Sequence, residues 1–367
     1  MLGRLSTCLV AATVLASVDG CWRRGEGKRR SVTEGPQTQT PQPPVDKTTA
    51  PPTEPETQEP EKSPPILISG GFNLQFAPGS KSTSQAKVYS FDVDSLKYTI
   101  VGKLQDARHG HVASYHQGRL LLAGGMQTED STPIPINTGE ILKFQTDGEP
   151  IYENVEPQPL THFVLQGTAT VGDVVYACGG VPSIGEGAPT KTCVTYSYAT
   201  KEWSQNVPEM PVAVREAKGL YDGDRYVYIL GANSDLKAVQ RLDLASNTWE
   251  RLADVPTSLY QGGATALSPS TLLACSAGQC STYDVEANSW TDANEPNQQF
   301  FESHLVNCAG RVFLFGWETS SGLYKPADVE ELDFATGKWV RYENTKMPKL
   351  LLYFAATCAE RAQLNRA

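Results

Sequence analysis

The chain has 367 residues, of which 40% are hydrophobic, and its formal net charge is −10 at pH 7. The first 65 residues carry equal numbers of acidic and basic side chains, so the acidic balance belongs to the remainder. An acidic body disfavours nucleic acid as a partner, and about 300 residues with abundant aromatics are ample for one large core or an array of small ones.

The N-terminus predicts a secretory signal peptide over residues 1–20. Arg4 precedes an apolar stretch from Leu9 to Val18, and small residues follow before Cys21. That stretch is shorter than the roughly 20 apolar residues that a membrane-spanning helix needs, and no later stretch reaches this length. We therefore expect an exported protein without a transmembrane segment.

Cys21 is a candidate site of lipidation. Together with Cys21, the three preceding residues VDG resemble the lipobox of bacterial lipoproteins, although Asp19 departs from the small residue that is usual at its position. Removing Cys8 with the signal and acylating Cys21 leaves six cysteines, an even number that suits an oxidising compartment. We expect a lipoprotein at the outer membrane or cell surface; cleavage by an ordinary signal peptidase, giving a freely secreted protein, is the alternative.

Residues 21–65 predict an anchor followed by a stalk. The basic stretch WRRGEGKRR at residues 22–30 would help to hold an acylated Cys21 to an anionic membrane surface. Residues 31–65 contain ten prolines, seven threonines and no aromatic residue. Such a segment cannot bury a core and favours extended, disordered conformations.

From residue 66 onward the sequence consists of six similar units. The segments ILISGG, RLLLAGG and VVYACGG are followed by the degenerate copies YVYILGA, TLLACSA and VFLFGW. A second series in each unit ends in a large residue, at Tyr98, Ile151, Trp203, Trp249, Trp290 and Trp339. Short alternating strands separated by turns predict small antiparallel sheets, which must stack to bury both faces.

This pattern resembles the kelch repeat, in which a strand ends in a diglycine, the next ends in Tyr-Asp, and a further strand carries Trp. The resemblance covers residues 66–358, with a tail at 359–367, and implies an all-β fold: a six-bladed β-propeller of four-stranded antiparallel blades. The glycines should permit close backbone approach, and the aromatics should fill the space between blades. The structural glycines are Gly70, Gly71, Gly124, Gly125, Gly179 and Gly180, and the structural aromatics are Tyr98, Trp203, Trp249, Trp290 and Trp339.

The two ends of the repeat region complete each other. The first unit begins at Ile66, directly on a diglycine strand, whereas the last ends in LLYFAATC, residues 351–358, with no diglycine strand after it. We expect the C-terminal strand to pair with the N-terminal strands and close the ring, because an open edge would otherwise be left unpaired.

Six cysteines fall at matching sites of the aligned units. Cys178 and Cys275 lie near the end of the second strand, and Cys193 and Cys280 lie at the start of the third. Those strands are antiparallel neighbours in a kelch blade, so disulfides Cys178–Cys193 and Cys275–Cys280 are predicted. Cys308 and Cys358 share a site on the innermost strands of adjacent blades, where a bridge depends on how closely those strands approach.

Propellers usually bind ligands at one mouth of the central channel. Matching Arg108 and His111 across the units selects the candidate ligand-binding residues Arg108, His111, Phe163, Gln166, Arg215, Lys218, Tyr260 and Phe300. Their charges and rings suit an anionic or carbohydrate-like ligand. The alternative is that arginine at this site hydrogen-bonds loop carbonyls, as in many kelch units.

The resemblance offers two classes of function. We favour a protein- or glycan-binding module, and the alternative is a carbohydrate-modifying enzyme at the channel mouth. Exported kelch propellers include sialic acid mutarotases and copper oxidases, but His109 and His111 lack a second His with a Tyr at matching positions. Hydrolase, P-loop and zinc motifs are absent. We expect a monomer without metal or cofactor that touches a membrane only through its N-terminal anchor.

Overall fold

This computed structural model describes residues 62–73, 81–130, 132–145, 148–159, 164–181, 187–232, 237–320 and 323–360. Those residues contain thirty β-strands and no α-helix, which confirms the all-β class. No helix long and apolar enough to cross a bilayer is found among them. The predicted signal peptide, Cys21 and nearly all of the predicted stalk lie outside the described residues.

The strands are short, as the repeat predicts. In chain order the first fifteen are β1 (Ile66–Ser69), β2 (Phe72–Asn73), β3 (Thr83–Ser84), β4 (Lys87–Asp92), β5 (Lys97–Lys103), β6 (Val112–His116), β7 (Arg119–Ala123), β8 (Met126–Glu129), β9 (Thr132–Pro135), β10 (Gly139–Lys143), β11 (Ile151–Val155), β12 (Gly167–Val171), β13 (Val174–Cys178), β14 (Cys193–Ser197) and β15 (Glu202–Ser204). The others are β16 (Arg215–Tyr221), β17 (Tyr226–Ala232), β18 (Ala238–Asp243), β19 (Thr248–Arg251), β20 (Gly263–Ser268), β21 (Thr271–Ser276), β22 (Gln279–Asp284), β23 (Ser289–Ala293), β24 (Phe300–Cys308), β25 (Arg311–Ser320), β26 (Leu323–Pro326), β27 (Glu330–Asp333), β28 (Lys338–Arg341), β29 (Leu351–Leu352) and β30 (Ala355–Cys358).

Six antiparallel sheets follow one another along the described chain, giving a propeller-like arrangement. In order they are β30-β1-β4-β5, β6-β7-β10-β11, β12-β13-β14-β15, β16-β17-β18-β19, β20-β21-β22-β23 and β24-β25-β27-β28, called sheets 1 to 6 below. β26 pairs with the extended end of β25, and two ribbons, β29-β2-β3 and β8-β9, lie outside these sheets.

Sheet 1 joins the two ends of the repeat region. β30 pairs antiparallel with β1, placing Ile66 opposite Cys358 and Ser69 opposite Ala355. The predicted pairing of the C-terminal strand with the N-terminal strands is therefore present. It leaves the backbone of β1 hydrogen-bonded on both sides, since β4 pairs with its other edge.

Each apolar core lies between two neighbouring sheets. Successive residues of a strand point to opposite faces, so Leu120 and Leu122 pack toward sheet 1 while Leu121 packs toward sheet 3. The same division recurs between the other successive sheets. One further cluster unites the last sheet with the first, because Phe313 and Phe315 of β25 pack against Ile66 and Phe91.

The predicted structural glycines lie where backbones approach closely. A Cβ at Gly70 would stand 2.4 Å from the carbonyl oxygen of Arg108, in the segment that leads into sheet 2, and one at Gly179 would stand 2.5 Å from that of Val214, just before sheet 4. Both glycines also have positive φ. A side chain at either position would separate the sheets.

The four predicted tryptophans link sheets 3 to 6 to segments of chain that follow the last strand of the preceding sheet. Their indole N–H groups donate to backbone carbonyls 2.9–3.0 Å away. The pairs are Trp203 with Glu156, Trp249 with Pro208, Trp290 with Ala253 and Trp339 with Asn294. Tyr98, the counterpart in sheet 1, instead packs its ring on Phe91 at 4.9 Å between centroids.

Three cysteine pairs lie at disulfide distance. Cys178 pairs with Cys193 and Cys275 with Cys280 across neighbouring strands of one sheet. The third pair, Cys308 with Cys358, joins the innermost strands of sheets 6 and 1, whose Cα atoms approach to 5.1 Å. The approach on which this third prediction depended is therefore present.

A chain ending at Leu350 should fail to hold this arrangement. It would lose β29, β30 and one half of the Cys308 pair, and it would expose the buried faces of Ile66 and Phe315. Losing the buried side chains of Leu351 and Phe354 alone costs several kcal/mol, a large share of an ordinary stability of about 5–15 kcal/mol. We expect no cooperative thermal transition above 37 °C, measured by circular dichroism.

The matched control is a chain ending at Glu360, which keeps every described strand and should melt as the full chain does. Equal melting temperatures and equal protease resistance for the Leu350 truncation and the full chain would contradict the structural role of the C-terminal strand.

Candidate functional site

A cavity of about 990 Å³ runs between the innermost strands of the six sheets. Each of these strands contributes small or aliphatic side chains to its wall: Ala113, Thr168, Leu220, Ala264, Val306 and Ala356. Polar side chains line the cavity where these strands begin. That end, which carries Glu216, Lys218 and Glu302, is called the mouth below; His116, Asp222 and Glu360 line the opposite end.

One residue in the left-handed conformation lies at the start of each innermost strand, in or just before it. They are Gly110, Leu165, Glu216, Gln261, Glu302 and Tyr353, with φ between 47° and 60°, and all six line the cavity. Five are not glycine, so their backbone is strained, at a cost on the order of 1 kcal/mol each. Such strain is typical of functional sites when the surroundings enforce it.

Two of these residues belong to β-bulges. The register of sheet 4 shifts between Arg215 and Lys218, and that of sheet 6 shifts between Phe301 and His304. An extra residue in one strand re-aims the side chains beside it. Glu216 and Lys218 of β16, and Glu302 and His304 of β24, line the cavity beside these bulges.

The bulges depend on glycine in the opposing strand. A Cβ at Gly231 would stand 2.7 Å from the side chain of Val214, and one at Gly316 would stand 2.9 Å from the carbonyl oxygen of Phe301. These are two of the positions where the sequence repeat keeps only one glycine. The remaining glycine thus makes room for the strained segment that carries the acidic residue.

Eight side chains form what we call the mouth cluster: His111, Gln166, Glu216, Lys218, Gln261, Glu302, His304 and Tyr353. Several of their buried polar atoms have no hydrogen-bond partner among the described residues. These atoms are both amide atoms of Gln166, Oε2 of Glu216, Oε1 of Glu302, Nδ1 of His111 and Nε2 of His304. Six of the eleven such atoms in the described residues lie at this one cavity, which suits a polar occupant, either water or an organic ligand.

Burial dominates the electrostatics of the cluster. It raises the pKa of Glu302, which is 4% exposed, to about 7, although nearby Lys218 opposes this shift. It also raises the pKa of Glu216 and lowers that of Lys218, whose amine feels both carboxylates. Glu302 is thus divided between its neutral and ionised forms near neutral pH, as a group that exchanges protons requires.

The two histidines of the cluster are neutral near pH 7. Burial, followed by the charge of Lys218, lowers the pKa of His304 well below its ordinary value, and burial also lowers that of His111. Nε2 of His111 is already 3.0 Å from Oγ of Ser69. With Lys218 balanced by Glu216 and partly by Glu302, the mouth carries no excess of positive charge.

The structure brings together only some of the sequence candidates. His111, Gln166 and Lys218 line the cavity, whereas Arg108, Arg215, Tyr260 and Phe300 are not among its lining residues. Phe300 is buried, with 2% exposure, and packs in the core between sheets 5 and 6. Tyr260 is half exposed beside the mouth. Phe163 lies outside the described residues.

Arg108 performs the structural role that was weighed as its alternative. Its side chain is fully buried, and its Nη1 donates to the carbonyl oxygens of Gly124 and Thr138 at 3.0 and 2.8 Å. Its Nη2 lies 3.3 Å from a carboxylate oxygen of Glu140. With these donors engaged inside the protein, Arg108 does not reach a ligand in the channel.

Sequence alignment of the units did not select Glu216, Gln261, Glu302 or His304. Each lies one to four residues beyond an aligned position. Bulges alter the register beside Glu216, Glu302 and His304, whereas Gln261 precedes its strand and lies outside any bulge. One signal was available: Glu216 and Glu302 both lie near the start of an innermost strand in a unit whose diglycine has lost one glycine.

Metal ligation finds no support at the mouth. Within the described ranges, no three side chains of His, Cys, Asp or Glu lie close enough together to hold a metal ion. The cluster instead mixes amide, amine, carboxylate and imidazole groups, which suits hydrogen bonding to an organic ligand.

Comparison with known proteins gives a structural likeness only. No protein-family model matches the sequence, and no curated protein matches it at a significant level. A solved structure titled "Structure of YjhT" aligns with a TM-score of 0.60 at 16% sequence identity, covering 77% of this chain and 99% of that one. At this identity the likeness concerns the fold alone.

Replacing Glu302 with Gln should change how stability depends on pH. Because the pKa of Glu302 rises from its ordinary 4.5 to about 7 on folding, the stability that its proton contributes is complete below about pH 4.5 and is lost as pH rises through 7. Glu302→Gln avoids that loss. Relative to the native chain, the variant should gain up to about 3 kcal/mol in free energy of unfolding between pH 5 and pH 8, measured by urea titration.

Glu202→Gln, at an exposed carboxylate on β15, is the control and should show no such gain. A difference between native chain and Glu302→Gln that stayed constant from pH 5 to pH 8 would contradict the raised pKa.

Proposed function

We propose that this protein is an exported six-bladed β-propeller of the kelch type, which binds an uncharged saccharide at the mouth of its central channel. Six successive sheets, a core between each pair of neighbours and between the last and the first, and the β1–β30 pairing support a closed ring. A ring of blades with ligand at one mouth of the channel is typical of this architecture.

The concentration of unpaired polar atoms in the mouth cluster carries the proposal. A buried polar atom without a partner costs about 1–3 kcal/mol, and a ligand that supplies the missing bonds recovers that energy. Saccharide hydroxyls both donate and accept, so they can satisfy the amide of Gln166, the carboxylates and the imidazoles alike. A channel ligand reaches these atoms, whereas the surface of a folded protein does not; we therefore favour a glycan over a protein partner.

The balance of charge favours an uncharged sugar. Lys218 is the one Lys or Arg among the residues that line the described cavity, and Glu216 and Glu302 lie near it. A carboxylated sugar would meet these two acidic groups. The guanidinium of Arg108 is engaged elsewhere, and Arg215, whose charge acts on Glu216 and Tyr260, does not line the cavity. The anionic ligand considered from the sequence is thus disfavoured relative to a neutral pyranose.

Export and anchoring belong to the same proposal. Three cysteine pairs at disulfide distance hint at an oxidising compartment. We propose that a signal peptide directs export, that acylated Cys21 anchors the chain, and that the Pro/Thr-rich segment separates the propeller from the membrane. The protein then acts as a monomer, and its membrane contact is confined to the anchor.

An enzyme acting on the same sugar is the second candidate, favoured by one observation. Glu302 has a pKa of about 7 beside a lysine whose pKa is lowered, and such pairs can take up and release a proton at neutral pH. Interconversion of sugar anomers needs such a proton exchange. The anomeric hydroxyl gives up its proton while the ring oxygen accepts one and its bond to the anomeric carbon breaks. The open-chain carbonyl form then rotates and closes the ring again, and both protons return. The copper-oxidase alternative gains no such support.

Substituting residues of the mouth cluster should weaken saccharide binding. We expect Lys218→Met and Gln166→Leu each to weaken binding by about 10- to 100-fold, because each removes hydrogen bonds worth about 1.5–3 kcal/mol. A glycan array of uncharged and sialylated sugars identifies the ligand, and isothermal titration measures the affinity. Lys97→Met, at an exposed lysine on β5, is the control. Preference for sialylated sugars, or binding unaffected by both cluster variants, would contradict the proposal.

Glu302→Gln separates the binder from the enzyme. If the protein catalyses anomer interconversion, the variant should lose most of the rate acceleration, by 100-fold or more, while its dissociation constant changes by less than about threefold. Exchange between anomer signals in one-dimensional NMR measures the rate. A native protein that leaves this rate at its buffer value is a binding module and not this enzyme.

A further inference from the structure

Exposed aromatic side chains lie next to the residues of the mouth cluster that lie in, or just before, sheets 5 and 6. Among exposed large apolar residues of the described chain, three are aromatic: Tyr260, Tyr324 and Phe334. Tyr260, 50% exposed, directly precedes Gln261 of the mouth cluster, and Tyr324, 44% exposed, contacts Phe301 next to Glu302. Phe334 instead follows β27 and lines a separate groove with Trp339. Exposed aromatics beside a polar cavity are an arrangement that binding sites favour.

A projecting hairpin supplies Tyr324. β25 runs from Arg311 toward the mouth and continues past its pairing with β27 to pair with β26, which places Trp317 opposite Pro326 and Thr319 opposite Tyr324. The start of β24 pairs with the same extension, Phe301 lying opposite Trp317. The hairpin therefore rises from sheet 6 at the end where Glu302 lies.

The rings of this region are packed into one surface. Tyr324 contacts Phe301 at 6.2 Å and Trp317 at 5.7 Å between ring centroids, both edge to face. Trp317 is fixed from below, since its indole N–H donates to the carbonyl oxygen of Leu351 at 2.6 Å. Tyr324 thus stands on a rigid aromatic support, and rigid aromatics lose little entropy when a ligand stacks on them.

Tyr260 connects this surface to the cluster. It precedes Gln261 in the chain, just as Phe301 precedes Glu302. At these two left-handed positions the preceding residue is aromatic, and the left-handed residue itself lines the cavity. The phenol also feels the charges of the cluster: burial, then Glu216 and Glu302, raises its pKa, and Tyr324 acts in the same direction. Tyr260, Phe301 and Tyr324 are called the aromatic rim below.

We propose that the aromatic rim is a second saccharide subsite, so that the ligand is an uncharged oligosaccharide whose terminal residue enters the mouth cluster and whose next residue stacks on Tyr260 and Tyr324. This inference rests on the proposed function and specifies its substrate class. A pyranose has apolar C–H faces and a polar rim of hydroxyls. Its face suits an exposed aromatic ring, and its hydroxyls suit the phenols beside it.

The dependence of affinity on the number of sugar residues in the ligand tests whether the aromatic rim is a subsite. Glucose, galactose, mannose and N-acetylglucosamine, each as mono-, di- and trisaccharide, are titrated into the full-length protein by calorimetry. For the sugar that binds, we expect the disaccharide to bind about tenfold more tightly than the monosaccharide, and the trisaccharide little more tightly again. Tyr260→Ala and Tyr324→Ala should each remove most of that gain while monosaccharide affinity stays within about twofold.

Phe334→Ala is the matched control, because it removes an equally exposed ring far from the mouth, and it should keep the full gain. Tyr260→Phe retains the ring and should retain most of the gain, which separates stacking from hydroxyl contacts. Tyr260→Ala alters one half-exposed side chain, so its melting temperature should match that of the native chain even if Tyr324→Ala disturbs the hairpin.

The outcomes distinguish the two proposals. Equal affinity for mono-, di- and trisaccharide, or an equal loss in Phe334→Ala, would overturn the rim while leaving the saccharide site in place. Binding of none of these sugars by the native protein would overturn the proposed function and the rim with it. Binding of a peptide or protein that Tyr260→Ala abolishes, with no sugar bound, would likewise replace the saccharide as occupant.

Discussion

Backbone hydrogen bonds at or beside the left-handed residues join neighbouring sheets around much of the mouth. The N–H of Gly110 donates to the carbonyl of Tyr353 at 2.7 Å, and the N–H of Leu165 donates to that of Gly110 at 2.9 Å. Further bonds run from Ala217 to Leu165 and from Ser303 to Gln261. Because left-handed backbone is unfavourable for most residues, these bonds and the packing around them must hold it. The same conformation that joins the sheets turns the side chains of Glu216, Gln261, Glu302 and Tyr353 to the cavity.

The chemistry proposed for this mouth follows from that constraint more than from any local motif. A carboxylate on a regular strand could relax toward water or toward a cation, but the strained backbone holds Glu302 where burial raises its pKa and leaves one oxygen unpaired. The free-energy cost of the strained backbone and the unpaired oxygen is offset by the six apolar cores between sheets, whose side chains do not depend on which residues face the cavity. A site can therefore be polar, unsatisfied and nearly uncharged in a fold that is otherwise well packed.

The sequence predicted most of the fold and little of the site. Period-two alternation, diglycines and spaced tryptophans report packing between sheets, and the structure shows each of them making such contacts, as with Gly70 and Trp203. Alignment by repeat also selected His111, Gln166 and Lys218 of the mouth cluster. It could not select Glu302, because a bulge shifts the register within a strand while leaving the spacing between units unchanged. It selected Arg108 for its charge, although burial and two carbonyl acceptors make that residue structural. Residue type and repeat position do not reveal which donors are already used.

Three interactions hold sheet 1 together and link it to sheet 6 at the end of the strands opposite the mouth. β1 and β30 begin and end there, with Ile66 opposite Cys358, and the N–H of Ala359 donates to the carbonyl of Pro65 at 2.9 Å. Cys308 and Cys358 bridge the innermost strands of sheets 6 and 1 at that end. A covalent link there limits how far these strands can separate, which opposes opening of the junction between the last sheet and the first. The β1–β30 pairing and the mouth cluster thus lie at opposite ends of the same strands. Under the proposed function, a polar ligand enters and leaves at one end while the pairing of the chain ends holds the other.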